Sequence, residues 1–247
     1  MNKKEVQKRV LQNRKPLPLN KFKWNAKTKT FSSKEDGLII DFYGSSGCTF
    51  NTGSYCTFKT GFNCTFTTAY GCTFTTGFNC TFNTWFNCTF NTWYGCTFNT
   101  ESGCTFKTES DCTFTTWYGC TFTTGSDCTF NTSSGCAFTT GSYCTFTTRS
   151  GCTFNTGSDC TFTTGGVELK EPPIYFTGSR YSIGFLKSGW LKSGCIEKPL
   201  SWWKDNIKRC AEENGYTKEQ VKEYIMYVKM IDMWMKRLKV DKAKGEL

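Results

Sequence analysis

Cysteine is the residue whose spacing most invites a chemical explanation. It recurs every eight residues from Cys48 to Cys160, giving fifteen octads without an insertion, and only Cys195 and Cys210 lie outside this run. Such a series could form disulfides, bind a metal or supply a nucleophile. The total of 17 is odd and the spacing follows one structural period, so neither favours a pairing scheme. Histidine is absent and no CxxC pair occurs, so the spacing of a structural zinc site is missing.

The residues between the cysteines indicate a structural reason for the period. Each octad begins C-T-F-x-T, with Ala137 once replacing the first Thr, and these five residues have the composition and alternation of a β-strand. Cys, Phe and the second Thr then face one side, and the first Thr and x face the other. Because Cys and Phe are apolar, we predict that they line a core in which a ladder of reduced cysteines is buried. A buried thiolate is unfavourable, so the octads offer no nucleophile.

The last three residues of each octad predict a corner. The residue before Cys is Gly, Asn or Asp in thirteen of fifteen octads, and these types tolerate positive φ; Tyr55 and Tyr143 are the exceptions. Strands and corners at a fixed period are typical of a β-solenoid. One octad is too short to close a coil. We expect two octads per coil, with Phe on one wall facing Cys on the other, and a triangular coil of three octads is the alternative.

The rest of the chain predicts caps at both ends of the solenoid. Residues 1–43 suggest a basic helix from Lys3 to Gln12, a hairpin and a strand at 38–42, and residues 44–166 are the octad-repeat solenoid. Residues 167–200 suggest a cap of short strands, and residues 201–247 a helical hairpin with a basic tail. The expected fold is therefore mainly β, with an α+β segment at the C-terminal end.

Positive charge is concentrated at the two ends of the chain. The net charge is +10, with eleven basic and three acidic residues in 1–36 but three basic and six acidic residues in 37–166. One alternative function is therefore nucleic-acid (polyanion) binding through the basic termini. The basic residues that would contact phosphates near the C-terminus are Lys236, Arg237, Lys239, Lys242 and Lys244.

The sequence also bears on location. No stretch has the apolar length of a transmembrane helix, and the N-terminal residues lack the apolar core of a signal peptide. We therefore expect no membrane partner and a cytoplasmic location.

Aromatic residues at the corners are the candidate binding residues. Exposed aromatic clusters commonly mark contact surfaces, although stacking along the rod as a stabilising ladder is the alternative. We predict that six of these residues form a partner-binding surface. Four of them form one cluster: Trp85, Phe86, Trp93 and Tyr94. The other two are Trp117 and Tyr118.

A second alternative function follows from the outward Thr residues. Thr ladders on a flat solenoid wall resemble the ice-binding faces of insect antifreeze proteins. Here several residues interrupt the ladders: Asn51, Lys59, Asn83, Lys107 and Ala137.

Several segments resemble known sequences. The leader KTFSSKEDGLIIDF, running into GCTFNTGSYCTFKTG, and the later PIYFTGSRYSIGF, KSGCIEKPLSWW and CAEENGYTKEQVKEY are similar to uncharacterised octad-repeat proteins of tailed bacteriophages and bacteria. The resemblance covers nearly the whole chain. It implies a β-solenoid and a phage origin, and it supplies no catalytic or binding residue.

These observations together favour a scaffold over an enzyme. With no histidine and no enzyme motif, we expect no catalytic activity and no cofactor. The expected function is a non-enzymatic scaffold or binding protein that engages a protein partner or self-associates. A phage-encoded chain would act either as a virion component or as a host-interaction factor in the host cytoplasm.

Overall fold

The solenoid predicted from the octads is confirmed. A computed structural model describes the backbone of residues 1–244 and the side chains of residues 1–238. The chain forms a β-solenoid of about eight turns with 16 residues per coil, followed by an α+β segment. Octad strands pair in parallel with the strand one coil further on, as in the register Phe82↔Phe98 and Phe98↔Phe114. Each coil therefore contains two octads, and the alternative of three is wrong.

The N-terminal cap adds antiparallel strands to both walls of the solenoid. It contains α1 (Lys3–Gln7), β1 (Val10–Gln12), β2 (Lys15–Pro16), a 3-10 turn (Leu19–Lys21), β3 (Lys23–Asn25), β4 (Thr30–Ser32) and β5 (Leu38–Phe42). Strands β3 and β4 form a hairpin. The predicted helix is too long. It ends at Gln7 because residues 10–12 pair with β5 as a strand that buries Val10.

The fifteen octads supply one strand each, and successive strands alternate between two sheets. The first wall begins with β4 and continues with β6 (Thr49–Asn51), β8 (Thr65–Thr67), β10 (Thr81–Asn83), β12 (Thr97–Asn99), β14 (Thr113–Thr115), β16 (Thr129–Asn131), β18 (Thr145–Thr148) and β20 (Thr161–Thr164). The second wall begins with β5 and continues with β7 (Thr57–Thr60), β9 (Thr73–Thr75), β11 (Thr89–Asn91), β13 (Thr105–Lys107), β15 (Thr121–Thr123), β17 (Ala137–Thr139) and β19 (Thr153–Asn155).

Phenylalanine rings fill the space between the walls. Along the first wall, the ring of Phe98 stacks nearly parallel on those of Phe82 and Phe114. The centroid distances are 4.9 Å to Phe82 and 4.8 Å to Phe114. Across the core, Phe98 meets Phe90 and Phe106 edge to face at 5.1 and 5.2 Å. Aromatic pairs favour such edge-to-face contacts because the ring edge is positive and the face negative. The expectation that Phe faces Cys across the core is therefore wrong, since Phe faces Phe.

The octad cysteines form buried ladders beside these rings. All fifteen are free thiols and buried, whereas Cys195 is exposed and Cys210 is half-buried. The thiol of Cys96 lies 3.6 Å from the carbonyl oxygen of Gly77 and 3.7 Å from that of Tyr94, so it can donate to either. Burial raises the pKa of the Cys160 thiol, so this thiol remains protonated at neutral pH.

The corners close each coil through one backbone position. Every residue that precedes an octad cysteine has a positive φ. This includes Tyr55 (φ 54°) and Tyr143 (φ 59°), whose residue types seldom adopt this conformation. The geometry of coil closure therefore imposes the conformation even where the residue type does not favour it.

The C-terminal segment ends the solenoid and adds a small α+β unit. Strand β21 (Val167–Leu169) pairs antiparallel with β20, and β22 (Tyr175–Phe176), β23 (Ile183–Lys187), β24 (Trp190–Ser193) and β25 (Ile196–Pro199) form a separate antiparallel sheet. The helices α2 (Leu200–Glu213) and α3 (Lys218–Lys244) form the predicted hairpin and pack on this sheet. Within residues 1–244, no helix has both the length and the apolar character that crossing a membrane requires.

Candidate functional site

The corners lie on two long edges of the rod, because successive octads belong to opposite walls. Corners that follow first-wall strands form what we call the first edge, and corners that follow second-wall strands form the second edge. The first edge carries Trp85, Phe86, Trp117 and Tyr118, and the second edge carries Trp93 and Tyr94. The predicted cluster of residues 85, 86, 93 and 94 is therefore wrong. Neighbours one octad apart in sequence are on opposite sides of the molecule.

On the second edge the aromatic rings stack on one another. The centroids of Phe62 and Phe78 are 4.8 Å apart and those of Phe78 and Tyr94 are 5.1 Å apart, with interplanar angles of 6° and 1°. These rings cover each other's faces at three successive coil levels. The stabilising-ladder interpretation therefore applies to Tyr94, whereas Trp93 on the same edge packs on no ring among the described residues and is 57% exposed.

On the first edge the aromatic side chains do not form such a stack, and its two indoles are as exposed as that of Trp93. Trp85 and Trp117 are each 58% exposed and Tyr118 is 59% exposed. Trp85 meets Phe86 edge to face at 6.4 Å, and among the described residues no ring packs on Trp117 or Tyr118. The first edge thus presents two aromatic pairs whose ring faces are available to a partner.

The corner between these pairs is narrow. Its residues are held by backbone hydrogen bonds, in which Asn87 N donates to Ser102 O and Gly103 N donates to Tyr118 O, both at 3.1 Å. Ser102 is buried, and its hydroxyl accepts a hydrogen bond from the backbone N–H of Tyr118 at 3.4 Å. Because serine replaces an aromatic residue at this level, a notch of about 280 Å³ lies between Phe86 and Tyr118.

Glu101 supplies the charge at the same corner. It lies one coil after Trp85 and one coil before Trp117, and it is half-buried. Its backbone carbonyl accepts from the Cys120 thiol at 3.5 Å. Within the described part of the chain, its carboxylate makes neither an ion pair nor a side-chain hydrogen bond.

Sequence reasoning missed Glu101 and Ser102 as site residues. The signal is in the sequence, but at a step of 16 residues instead of eight. Reading the corner residues in that step gives Trp-Phe, then Glu-Ser, then Trp-Tyr, which places a carboxylate between two aromatic pairs.

The basic residues predicted to contact nucleic acid are partly engaged elsewhere. The Nζ of Lys236 lies 2.9 Å from Oδ2 of Asp232, and the guanidinium of Arg237 bonds to both carboxylate oxygens of Glu171. The hydrogen bond from Lys236 lowers the pKa of Asp232, so this carboxylate is charged at neutral pH. A phosphate would have to compete with both acids. The side chains of Lys239, Lys242 and Lys244 lie outside the described residues.

A further cavity of about 190 Å³ lies between the C-terminal sheet and the helices. Its wall includes Trp203, Ile207 and Tyr224, and both non-octad cysteines border it. In the part of the chain that the structure describes, no three His, Cys, Asp or Glu side chains gather into a metal-binding group.

In comparisons with known proteins, no family model, curated protein or solved structure matches this chain. The fold itself defines the class, a tandem-repeat β-solenoid with a buried cysteine ladder. The phage relationship remains a prediction from the resemblance of its segments.

Proposed function

We propose that this protein is a non-enzymatic β-solenoid scaffold that binds a protein partner along its first edge. The observation that carries this proposal is the pair of exposed indoles, Trp85 and Trp117, on one edge of a regular rod. Interface energy concentrates in such Trp and Tyr side chains. A repetitive backbone also holds them in place before binding, which reduces the entropy that a partner must overcome.

The fold itself does not require tryptophan at these positions. The equivalent residues in neighbouring coils of the same edge are Ala69, Glu101, Ser133 and Arg149, and the backbone continues unchanged through all of them. Side chains at this position therefore contribute little to coil closure. A solvent-exposed Trp that packing does not need supports a role in contact with another molecule.

The phage origin suggested by the resemblance would make host proteins or other virion proteins the partners. A host-interaction factor fits a reduced cysteine core, since thiols stay reduced in the cytosol. A virion component fits the rigidity of the rod. Both settings remain predictions, and the first-edge surface serves equally in either.

The test is capture of partners from a host lysate by immobilised protein, repeated at low and high salt. We expect a protein partner that persists at high salt, because aromatic contacts depend little on ionic strength whereas polyanion binding weakens steeply. The double substitution Trp85→Ser with Trp117→Ser should remove it, and Trp93→Ser on the second edge is the matched control. If the double variant is folded and retains every partner, the first edge is not the binding surface.

Ice binding is a second candidate, favoured by how the two walls differ. Five residues interrupt the outward Thr ladders in the sequence. Three of them, Lys59, Lys107 and Ala137, lie on the second wall, so the first wall contains only two of these interruptions. On the first wall, eight outward Thr residues stand in register: Thr49, Thr65, Thr81, Thr97, Thr113, Thr129, Thr145 and Thr161.

Thermal hysteresis of the purified protein tests this candidate. Ice binding on the first wall predicts hysteresis that Thr113→Lys abolishes and that Thr105→Lys, at the same position on the second wall, leaves intact. Wild-type protein without hysteresis would eliminate ice binding and leave the scaffold proposal unaffected.

A further inference from the structure

We propose that the notch between Phe86 and Tyr118 on the first edge, at the corner that carries Glu101, recognises an arginine side chain of the protein partner. The guanidinium would insert at the level of Ser102, between the rings of Phe86 and Tyr118 that line the notch. Trp85, Glu101 and Trp117 are the chain neighbours of these residues at the same three levels. This inference rests on the proposed function, since it names the chemistry by which the same edge recognises its partner.

The repeat fixes the width of the notch. Equivalent rings in adjacent coils are 4.8–4.9 Å apart, as in the Phe82, Phe98 and Phe114 column. The second edge shows what this spacing permits, because Phe62, Phe78 and Tyr94 place one flat ring at each of three successive levels. On the first edge the level between Phe86 and Tyr118 holds serine. The space between the two aromatic levels is therefore about one planar group thick.

The charge beside the notch selects a cation. Glu101 is the acidic residue at this level, it is half-buried, and its carboxylate has no ion-pair partner among the described residues. Cations bind over aromatic faces within about 6 Å of the ring centroid, most strongly over Trp. A group midway between two levels would meet that distance on both sides. The chain itself contains such contacts, with Lys187 4.5 Å from the centroid of Trp190.

Shape favours arginine over lysine. The guanidinium is planar, stacks on aromatic rings and pairs with a carboxylate through two parallel N–H···O bonds. A lysine ammonium is compact and strongly hydrated, so it would fill the flat space less well. The chain also stacks an arginine on an aromatic ring, with the Arg180 guanidinium 4.6 Å from the centroid of Tyr216.

The second edge provides an internal control. There Trp93 and Tyr94 are followed one coil later by Glu109 and Ser110, but the next corner begins with Gly125 and has no aromatic pair. That carboxylate therefore has aromatic neighbours on one side only. The same residue types without the second wall of the notch should not hold an arginine.

The test uses the full protein, labelled at the indole nitrogens, and the peptide Gly-Arg-Gly with blocked ends as probe. NMR titration should shift the indole signals of Trp85 and Trp117, and leave that of Trp93 unchanged. A citrulline peptide, which keeps the shape and loses the charge, should produce no shift. Glu101→Gln should weaken binding about tenfold, since charge-assisted hydrogen bonds are roughly twice as strong as neutral ones, and Glu109→Gln should have no effect.

A second variant tests the shape requirement without removing charge. Ser102→Phe restores a ring at the missing level and should abolish the shifts, whereas Ser110→Phe on the second edge should not. Equal shifts with arginine and citrulline peptides, or undiminished affinity in Glu101→Gln, would overturn the arginine proposal.

Partner capture distinguishes failure of the arginine proposal from failure of the proposed function. If Trp85→Ser with Trp117→Ser loses the partner while Glu101→Gln keeps it, the edge binds a partner without an arginine. If both variants keep it, the edge itself is not the binding surface.

Discussion

Replacing Phe98 by alanine should destabilise the solenoid by about 4–5 kcal/mol, the upper part of the range for large-to-small changes in a core. Phe98 is fully buried and has four ring neighbours at 4.8–5.2 Å, two stacked along its wall and two edge-on across the core. Each such aromatic pair adds roughly 0.5–1.5 kcal/mol beyond burial, although the contributions are not additive.

The site has little freedom to collapse around the cavity. Strand β12, which carries Phe98, is hydrogen-bonded to β10 on one side and β14 on the other, so the backbone cannot move inward. In a repeat protein the loss also weakens the interfaces with both neighbouring coils. The loss of stability in Phe98→Ala should therefore be close to the full cost of a cavity around which the structure does not relax.

Urea unfolding followed by circular dichroism measures this loss. The control is Asn99→Ala, one residue along the same strand and exposed, which should change stability by no more than about 0.5 kcal/mol. Phe154→Ala is an intermediate case, because Phe154 is half-buried at the end of its wall. It has three ring neighbours among the described residues, stacking on Phe138 and meeting Phe146 and Phe162 edge to face. Equal losses at positions 98 and 99 would refute the assignment of inside and outside faces.

Three further outcomes are expected. Thiol titration of the native protein should modify Cys195 readily and the octad thiols only after unfolding, and fast reaction of most thiols would contradict the buried ladder. Gly61→Ala should cost about 1–3 kcal/mol, because its Cβ would press on the backbone carbonyl of Ser45. Melts of the Asp232→Asn variant should show less acid sensitivity than wild type. The hydrogen bond from Lys236 lowers the Asp232 pKa, so its stabilisation is present above the ordinary value of 3.8 and is lost as pH falls through the lower folded value.

The sequence predicts the repeat architecture well because every octad repeats the same physical constraints. Alternation of Cys, Phe and Thr defines the core face, and the shortness of one octad favours a coil of two. What it does not reveal is how side chains meet across the core. The edge-to-face packing of Phe90 on Phe98 depends on the relative stagger of two walls, which no single strand encodes.

The candidate site shows the same limit. Trp85 and Trp93 are close in sequence, yet the coil places them on opposite edges, while Glu101 reaches the site only through the 16-residue coil period. Local propensity also misplaces the end of the first helix. Val10 lies in a strand because pairing with β5 buries it, a tertiary contact that a local pattern does not contain.

Hydroxyl-radical footprinting of the protein, alone and bound to its captured partner, tests whether the first edge is the binding surface. Oxidation of each Trp, quantified by mass spectrometry, reports whether that indole is covered in the complex. We expect strong protection of Trp85 and Trp117, both 58% exposed in the free protein, and no protection of Trp93, which is 57% exposed on the opposite edge. Protection of Trp93 with continued oxidation of Trp85 and Trp117 would contradict this expectation.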